Sequence, residues 1–188
     1  MDAFSYLSVL LSIILGLAIT QVLQGYRALL LSRTRINIYL PTLIWSALLL
    51  IFAAQLWWAS FGLAGHTDWT FATFAIVLLQ TGLLYMMSAI VLPDVPHAGV
   101  LDLSEHYWRE VVPFFGISLL MLAVSITKDW MLNGGLPGAS NLAFHATFAA
   151  LSITALAARR PWVHSLIAGL MVVFVVAYIA LLFARLNG

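Results

Sequence analysis

The feature that most constrains this chain is an apolar segment at residues 3–31, which contains no charged residue before Arg27. A helix needs about 20 apolar residues to cross the hydrocarbon core of a bilayer, so this segment is long enough to span it. A surface helix of a soluble protein has one apolar face, whereas Leu, Ile, Val and Ala surround most of this one. The segment therefore predicts a transmembrane helix.

Composition extends this prediction to the whole chain. Of the 188 residues, 63% are hydrophobic and 8% are charged, whereas soluble domains average about 45–50% apolar and 25% charged residues. The chain contains no cysteine, which excludes disulfides and cysteine-based metal sites. Its formal net charge of +1 argues against a nucleic-acid partner. The composition is typical of an integral membrane protein.

Five further apolar segments follow the first, at residues 40–63, 69–92, 111–127, 140–158 and 162–185. Backbone groups inside a bilayer must be hydrogen-bonded within their own segment, so these spans are expected to be helices. Turn-forming residues separate them, and no connection is long enough for a soluble domain. The sequence predicts an all-α, polytopic membrane protein: one domain over residues 1–188, built as a bundle of about six transmembrane helices.

The connection between the third and fourth spans differs from the others because it contains charged and aromatic residues at helical spacing. Asp102 or Ser104 is suited to cap a helix, and Glu105 and Arg109 are four residues apart, the spacing of a helical ion pair. We expect one short amphipathic helix here, lying at the membrane interface.

Arginine and lysine predict the orientation, because cytoplasmic connections are enriched in them. Six of the eight fall on the side that carries the first, third and fifth connections, namely Arg27, Arg33, Arg35, Arg109, Arg159 and Arg160. Lys128 and Arg185 fall on the other side. We therefore expect an inner-membrane protein of a bacterium whose termini lie outside the cytoplasm.

The first span carries a row of small and polar residues at intervals of four, which we call the α1 row: Ser8, Ser12, Gly16, Thr20 and Gln24. Residues four apart lie on one face of a helix. One interpretation is a hydrophilic path through the bundle, shared with Gln21, Gln55, Gln80 and Tyr85. The other is a packing seam, since small residues let membrane helices approach closely. The two are compatible if the seam joins subunits around a pore.

Arg27 and His145 are two further candidates. Arg27 is close to the end of the first span, where a long basic side chain usually extends to the membrane surface; the alternative is a position inside the bundle, where it binds an anion or an acidic partner such as Asp94. His145 shares a helical face with Asn141, so it is a possible ligand-binding or proton-relay residue, or a hydrogen-bonding link between helices. His145 and His164 are predicted at opposite membrane surfaces, too far apart for one metal.

Motifs for catalysis, cofactors or metals are lacking. The third connection contains Asp94, His97, Asp102, Glu105 and His106, but their spacing matches no metal-binding signature. Phosphate-binding loops, dinucleotide-binding fingerprints and nucleophile elbows do not occur in the sequence. We therefore predict no catalytic residue, no metal and no cofactor.

Three functions are compatible with these features. The first is a homo-oligomeric channel or passive transporter for a small polar solute or ion, because the α1 row is polar and uncharged. A chain of this size has few helices with which to enclose a pore, so the path is expected between subunits. The alternative is an accessory, scaffold or sensor subunit of a membrane complex. The third is a lipid-acting enzyme that uses His97 and His106. The expected partners are the bilayer, further copies of the chain and another membrane protein, with no nucleic acid.

Overall fold

Six long helices dominate the computed structural model, which describes residues 3–32, 35–94 and 100–180. They are α1 (Ala3–Leu31), α2 (Leu40–Ser60), α3 (Phe71–Ile90), α4 (Leu103–Asn133), α5 (Ala139–Ala157) and α6 (Pro161–Tyr178). Each is long and apolar enough to cross a membrane. The predicted all-α bundle with six candidate spans is confirmed. Arg33, His97 and Arg185 lie outside the described residues.

The predicted short interfacial helix is not a separate element, because it forms the first turns of α4. Asp102 caps this helix, and its Oδ1 accepts hydrogen bonds from the backbone N–H groups of Ser104 (2.8 Å) and Glu105 (3.1 Å). The Arg109 guanidinium pairs with the neighbouring Glu110, at 3.0 Å between Nε and Oε1, and not with Glu105 as predicted. The amphipathic segment and the fourth span are therefore one continuous helix of 31 residues.

Two three-residue strands form a small parallel sheet that the sequence pattern did not predict. Strand β1 (Arg35–Asn37) precedes α2, and strand β2 (Val100–Asp102) precedes α4. The Asn37 side chain donates a hydrogen bond of 3.2 Å to Oδ2 of Asp102. The first and third connections therefore lie at the same end of the bundle, which we call the sheet end. The opposite end is the cavity end.

The six helices form a closed ring in the order α1, α3, α4, α5, α6, α2. Each helix packs against its two neighbours in this order, and α2 also contacts α3 and α4 across the ring. Helix α1 contributes one buried face, made of Leu7, Leu11, Leu15, Ala18 and Val22. These residues are three or four positions apart, so they lie along one side of the helix. A single protomer therefore encloses an interior of its own.

Aromatic side chains fill the middle of this ring. Trp45 is 1% exposed, and its ring centroid lies 5.4 Å from Phe114, 5.3 Å from Phe115 and 6.3 Å from Phe148. The first two contacts are edge-to-face and the third is stacked, which are the favoured geometries for aromatic pairs. This cluster therefore packs α2, α4 and α5 together in the interior of the ring.

Buried hydrogen bonds between helices hold the sheet end together. The Tyr26 hydroxyl of α1 lies 2.7 Å from Oγ of Ser46 in α2. The Thr42 hydroxyl of α2 donates to the carbonyl oxygen of Leu103 at the start of α4, at 3.3 Å. Because each of these contacts satisfies a polar group away from water, they stabilise one specific arrangement of the helices.

Candidate functional site

A cavity of about 420 Å³ occupies the cavity end of the ring, and all six helices contribute to its wall. Its volume falls in the range of small-molecule sites, about 300–1,000 Å³. Gly62 follows α2 and Asn133 ends α4, and both residues are exposed and line the cavity. The cavity therefore reaches the surface of the protomer here. Phe148 lines it, and this ring stacks on Trp45, which lies on the side nearer the sheet end.

Two glutamines in the cavity wall have buried polar atoms without a partner among the described residues. These atoms are Nε2 of Gln55, from α2, and Oε1 of Gln80, from α3. Gln80 is only 8% exposed. A buried polar atom without a hydrogen bond costs about 1–3 kcal/mol, so native proteins rarely keep one in an empty site. The two glutamines therefore place polar side chains with incomplete hydrogen bonding in the wall of the cavity.

An ion pair lies in the wall nearer the ends of the helices. Lys128 Nζ is 3.6 Å from Oδ1 of the adjacent Asp129, and the two side chains are 15% and 19% exposed. The Tyr178 hydroxyl of α6 donates to Oδ1 of Asn141 in α5 at 3.4 Å. The charged groups of Lys128 and Asp129 compensate each other, so this part of the wall is polar without a net formal charge.

His145 lies in the cavity wall and links α5 to α4. Its Nδ1 is 2.8 Å from the carbonyl oxygen of Asn141, and its Nε2 is 3.1 Å from Oγ of Ser125. A carbonyl oxygen can only accept, so Nδ1 carries a proton and donates. The expected hydrogen bond between helices is present. A role for His145 in ligand binding or proton relay stays a prediction.

His145 and His164 occupy opposite ends of the bundle, as predicted. His145 bonds to Ser125 near the end of α4, and His164 bonds to Tyr107 near its start. These two positions on α4 are separated by about 27 Å, at a helical rise of 1.5 Å per residue. A single ion or haem iron in one protomer therefore cannot bind both imidazoles.

The α1 row lies on the outside of the protomer. Ser12, Gly16, Thr20 and Gln24 are exposed, and Ser8 is half-buried. The hydroxyl of Ser12 donates to the Ser8 carbonyl at 2.8 Å and that of Thr20 to the Gly16 carbonyl at 2.7 Å. The Ser12 hydroxyl also accepts from Nε1 of Trp57 in α2 at 3.2 Å, at the edge of this outer face. A Cβ atom added to Gly16 would meet nothing within 4 Å. The structure therefore does not bring the α1 row together with Gln55 and Gln80 in one protomer.

The other predicted site residues of α1 and α3 lie partly between the helices and partly at the surface. Gln21 is half-buried and donates from Nε2 to the Tyr85 hydroxyl at 3.5 Å, which links α1 to α3. Arg27 is exposed, as expected for a side chain that extends to the membrane surface. Only Gln55, Gln80 and His145 of the predicted site residues line the cavity.

Four polar cavity residues on α4 were not predicted as site residues: Ser125, Lys128, Asp129 and Asn133. Lys128 and Asp129 lie three and four residues after Ser125, and Asn133 lies four after Asp129, so these residues form a polar stripe along the last turns of an otherwise apolar helix. This periodicity was visible in the sequence. The predicted end of the fourth span at residue 127 concealed it, because Lys128 and Asp129 then appeared to belong to a connection.

The histidine and carboxylate residues of the third connection form no metal-binding group of three in the described ranges. Both ring nitrogens of His106 have hydrogen-bond partners within the protein. Its Nε2 lies 3.0 Å from the Ile90 carbonyl oxygen, and its Nδ1 lies 3.1 Å from Nη2 of Arg109. His97 lies outside the described residues. The ring of His106 therefore serves to connect the end of α3 to α4.

Comparison with protein-family models, with curated proteins and with solved structures gives no match to this chain. The site must therefore be interpreted from its own geometry.

Proposed function

We propose that this protein binds a small organic solute in the cavity and passes it across the membrane as a passive transporter. The observation that carries the proposal is the cavity of about 420 Å³ inside the ring, with the side chains of Gln55 and Gln80 in its wall. In a purely structural protein, side chains would usually fill an internal space of this size, because protein interiors pack as densely as organic crystals.

The path in this proposal runs through each protomer, not between subunits. The cavity reaches the surface at one end, and in this proposal the stacked pair of Trp45 and Phe148 is the barrier at the other. Transport then requires these rings to separate while the mouth closes, which is alternating access around a central site. The excess of arginine on the sheet end supports a cavity that faces away from the cytoplasm, in the inner membrane of a bacterium.

Vesicle swelling tests the proposal. Liposomes that contain the purified protein are mixed with glycerol or acetamide, and light scattering follows solute entry. We expect entry of at least one of these solutes to be faster than in empty liposomes. Leu122→Trp, which fills the cavity, should remove the difference. Leu120→Trp on the same helix is the matched control, because Leu120 is 50% exposed and outside the cavity wall. Equal rates in loaded and empty liposomes for both solutes would contradict the proposal.

A second candidate is a subunit of a larger membrane assembly, either a homo-oligomer or a complex with another membrane protein. The exposed Ser12, Gly16 and Thr20 on the outer face of α1 favour it, because small residues allow a second helix to pack closely. Native mass spectrometry from mild detergent distinguishes the two assemblies by their mass. A monomer alone would count against this candidate and would leave the transport proposal standing.

A further inference from the structure

We infer that the cavity binds a single-chain amphiphile, with a zwitterionic head at the cavity mouth beside Lys128 and Asp129 and an apolar chain directed towards the sheet end. This inference goes beyond the proposed function, because the ligand is a component of the membrane that would compete with the transported small solute for the cavity. Three observations lead to it: the change in polarity along the wall, two opposite charges near the mouth, and an exposed tryptophan beside them.

The wall of the cavity is polar near its mouth and apolar further in. The end of α4, the start of α5 and the end of α6 contribute polar residues near the mouth: Lys128, Asp129, Asn133, Asn141 and Tyr178. Towards the sheet end, five helices each contribute a large apolar side chain, and we call these residues the inner wall: Leu15, Phe52, Leu84, Leu122 and Phe148. The polar residues Gln55, Gln80, Ser125 and His145 lie between the two parts.

The two parts of the wall are far enough apart for a chain. Leu122 and Asn133 are separated by about 17 Å along α4, at a helical rise of 1.5 Å per residue. Burial of an apolar chain against the inner wall is favourable because it removes the chain from water. A ligand with one polar end and one apolar chain therefore matches both parts of the cavity at once.

The charges near the mouth indicate the chemistry of the head. Lys128 and Asp129 carry the formal charges among the described residues of the wall, and their side chains are 15% and 19% exposed. Lys128 Nζ is 3.6 Å from Asp129 Oδ1, which is longer than the usual hydrogen bond of about 2.7–3.2 Å. Each of the two can therefore still bind a group of opposite charge. A zwitterionic head offers one such group to each, whereas a singly charged head attracts one member of the pair and repels the other.

An exposed tryptophan indicates the depth of the mouth in the membrane. Trp130 directly follows Asp129 on α4 and is 59% exposed. Tryptophan rings at the surface of membrane proteins favour the level of the lipid headgroups. We therefore place Lys128 and Asp129 at this level, with Leu122 and Phe148 at the depth of the acyl chains. An amphiphile of the same leaflet already has its head and its chain at these depths.

Photolabelling of the protein in nanodiscs tests the inference. The probe is dodecylphosphocholine with a diazirine at the end of its chain, and peptide mass spectrometry locates the labelled residues. We expect label on the inner wall, for example at Phe148, in addition to the label that outward-facing residues acquire from the bilayer. Leu122→Trp, which fills the cavity, should remove the label from Phe148. Leu120→Trp should retain it, because Leu120 is outside the cavity wall.

Competition measures the preference for the head. Unlabelled dodecylphosphocholine, dodecyl phosphate and dodecyltrimethylammonium share one chain and differ in charge. We expect the zwitterion to halve the inner-wall label at a membrane concentration at least about tenfold lower than either ion, because each ion can pair with only one of the two wall charges. The double variant Lys128→Met/Asp129→Asn should lose this preference. Arg109→Met/Glu110→Gln is the matched control, because it removes an adjacent ion pair of the same helix at the sheet end, and it should keep the preference.

The outcomes separate this inference from the proposed function. Label confined to outward-facing residues would overturn the inference, since the bilayer alone then holds the chain. Competition by either ion that equals or exceeds that of the zwitterion would also overturn it, as would a preference that persists in Lys128→Met/Asp129→Asn. Photolabelling requires no transport, so a swelling assay without solute entry leaves this inference standing. A failure of the labelling leaves the transport proposal standing in the same way.

Discussion

The Tyr107 hydroxyl donates a hydrogen bond of 2.7 Å to Nδ1 of His164, and this contact joins the first turns of α4 and α6. Its direction follows from the other ring nitrogen, since Nε2 of His164 lies 2.8 Å from the carbonyl oxygen of Ala158, which can only accept. His164 has no exposed surface, and the Trp108 ring lies edge-on to it at a centroid distance of 4.6 Å. The pair therefore connects α4 and α6 across the sheet end of the ring.

Replacement of Tyr107 by phenylalanine should lower the free energy of unfolding by about 1–2 kcal/mol, because it leaves Nδ1 of His164 buried without a donor. The aromatic contact with Tyr39, at a centroid distance of 5.1 Å, is kept in this variant. Unfolding by SDS in mixed micelles measures the change. Tyr6→Phe is the control, since Tyr6 is 65% exposed. If the two variants unfold alike, the hydrogen bond does not stabilise the bundle.

Replacement of Gly25 by alanine should destabilise the protomer by about 1–3 kcal/mol, the usual cost of overpacking. A Cβ atom at this position would lie 2.7 Å from Cδ1 and 2.8 Å from Cβ of Leu92, so α1 or the segment just after α3 must move. The same SDS titration measures the loss. Gly16→Ala is the matched control on the same helix and should unfold like the wild type or slightly later, because Gly16 faces open space.

Replacement of Gly16 by leucine tests the outer face of α1 as a subunit interface. We expect the protomer to fold normally, since nothing within 4 Å opposes the new side chain. If the α1 row packs against a second copy, leucine should separate the helices and shift the complex towards monomer. Gel filtration with light scattering in mild detergent measures the mass. A wild-type oligomer that Gly16→Leu leaves unchanged would show that subunits associate through another face.

The stability of the sheet end should fall in acid as Asp102 becomes protonated. The Asn37 side chain, and then the backbone N–H groups of Glu105 and Ser104, lower the pKa of Asp102. A depressed carboxyl pKa means that this contribution is present above the unfolded value of about 4 and is lost as the pH falls through the folded pKa. Thermal unfolding in detergent from pH 7 to pH 2 follows the loss.

Two variants isolate the contribution of Asp102. Asp102→Asn keeps a capping side chain but cannot ionise, so its difference from the wild type should be largest above about pH 4 and should vanish in acid. Asn37→Ala removes the largest cause of the lowered pKa, so the loss of stability should begin at a higher pH. A difference between wild type and Asp102→Asn that does not change with pH would contradict this assignment.

Prediction from the sequence succeeded for the helices and failed for several of their contacts. The predicted first span matches α1 at Ala3–Leu31, and the fifth differs from α5 by one residue at each end. The fourth was predicted to end at residue 127, whereas α4 continues to Asn133 with Lys128 and Asp129 in the cavity wall. Two adjacent charged residues at the end of a span look the same in the sequence whether they begin a connection or belong to the last turns of the helix. Only the tertiary contacts distinguish these two cases.

The sequence by itself determined that this chain forms six apolar helices, because the length and hydropathy of each segment suffice for a bilayer whatever its neighbours are. It did not determine which side of each helix faces inwards. In α1 the leucine face that includes Leu11 and Leu15 packs inside the protomer, while Ser12 and Thr20 face outwards. Both hydroxyls donate to carbonyl oxygens of their own helix, and that of Ser12 also accepts from Nε1 of Trp57 in α2 at 3.2 Å, so no second subunit is needed to satisfy them. Only the tertiary structure, by closing six helices into a ring, brought Gln55, Gln80 and His145 to one cavity.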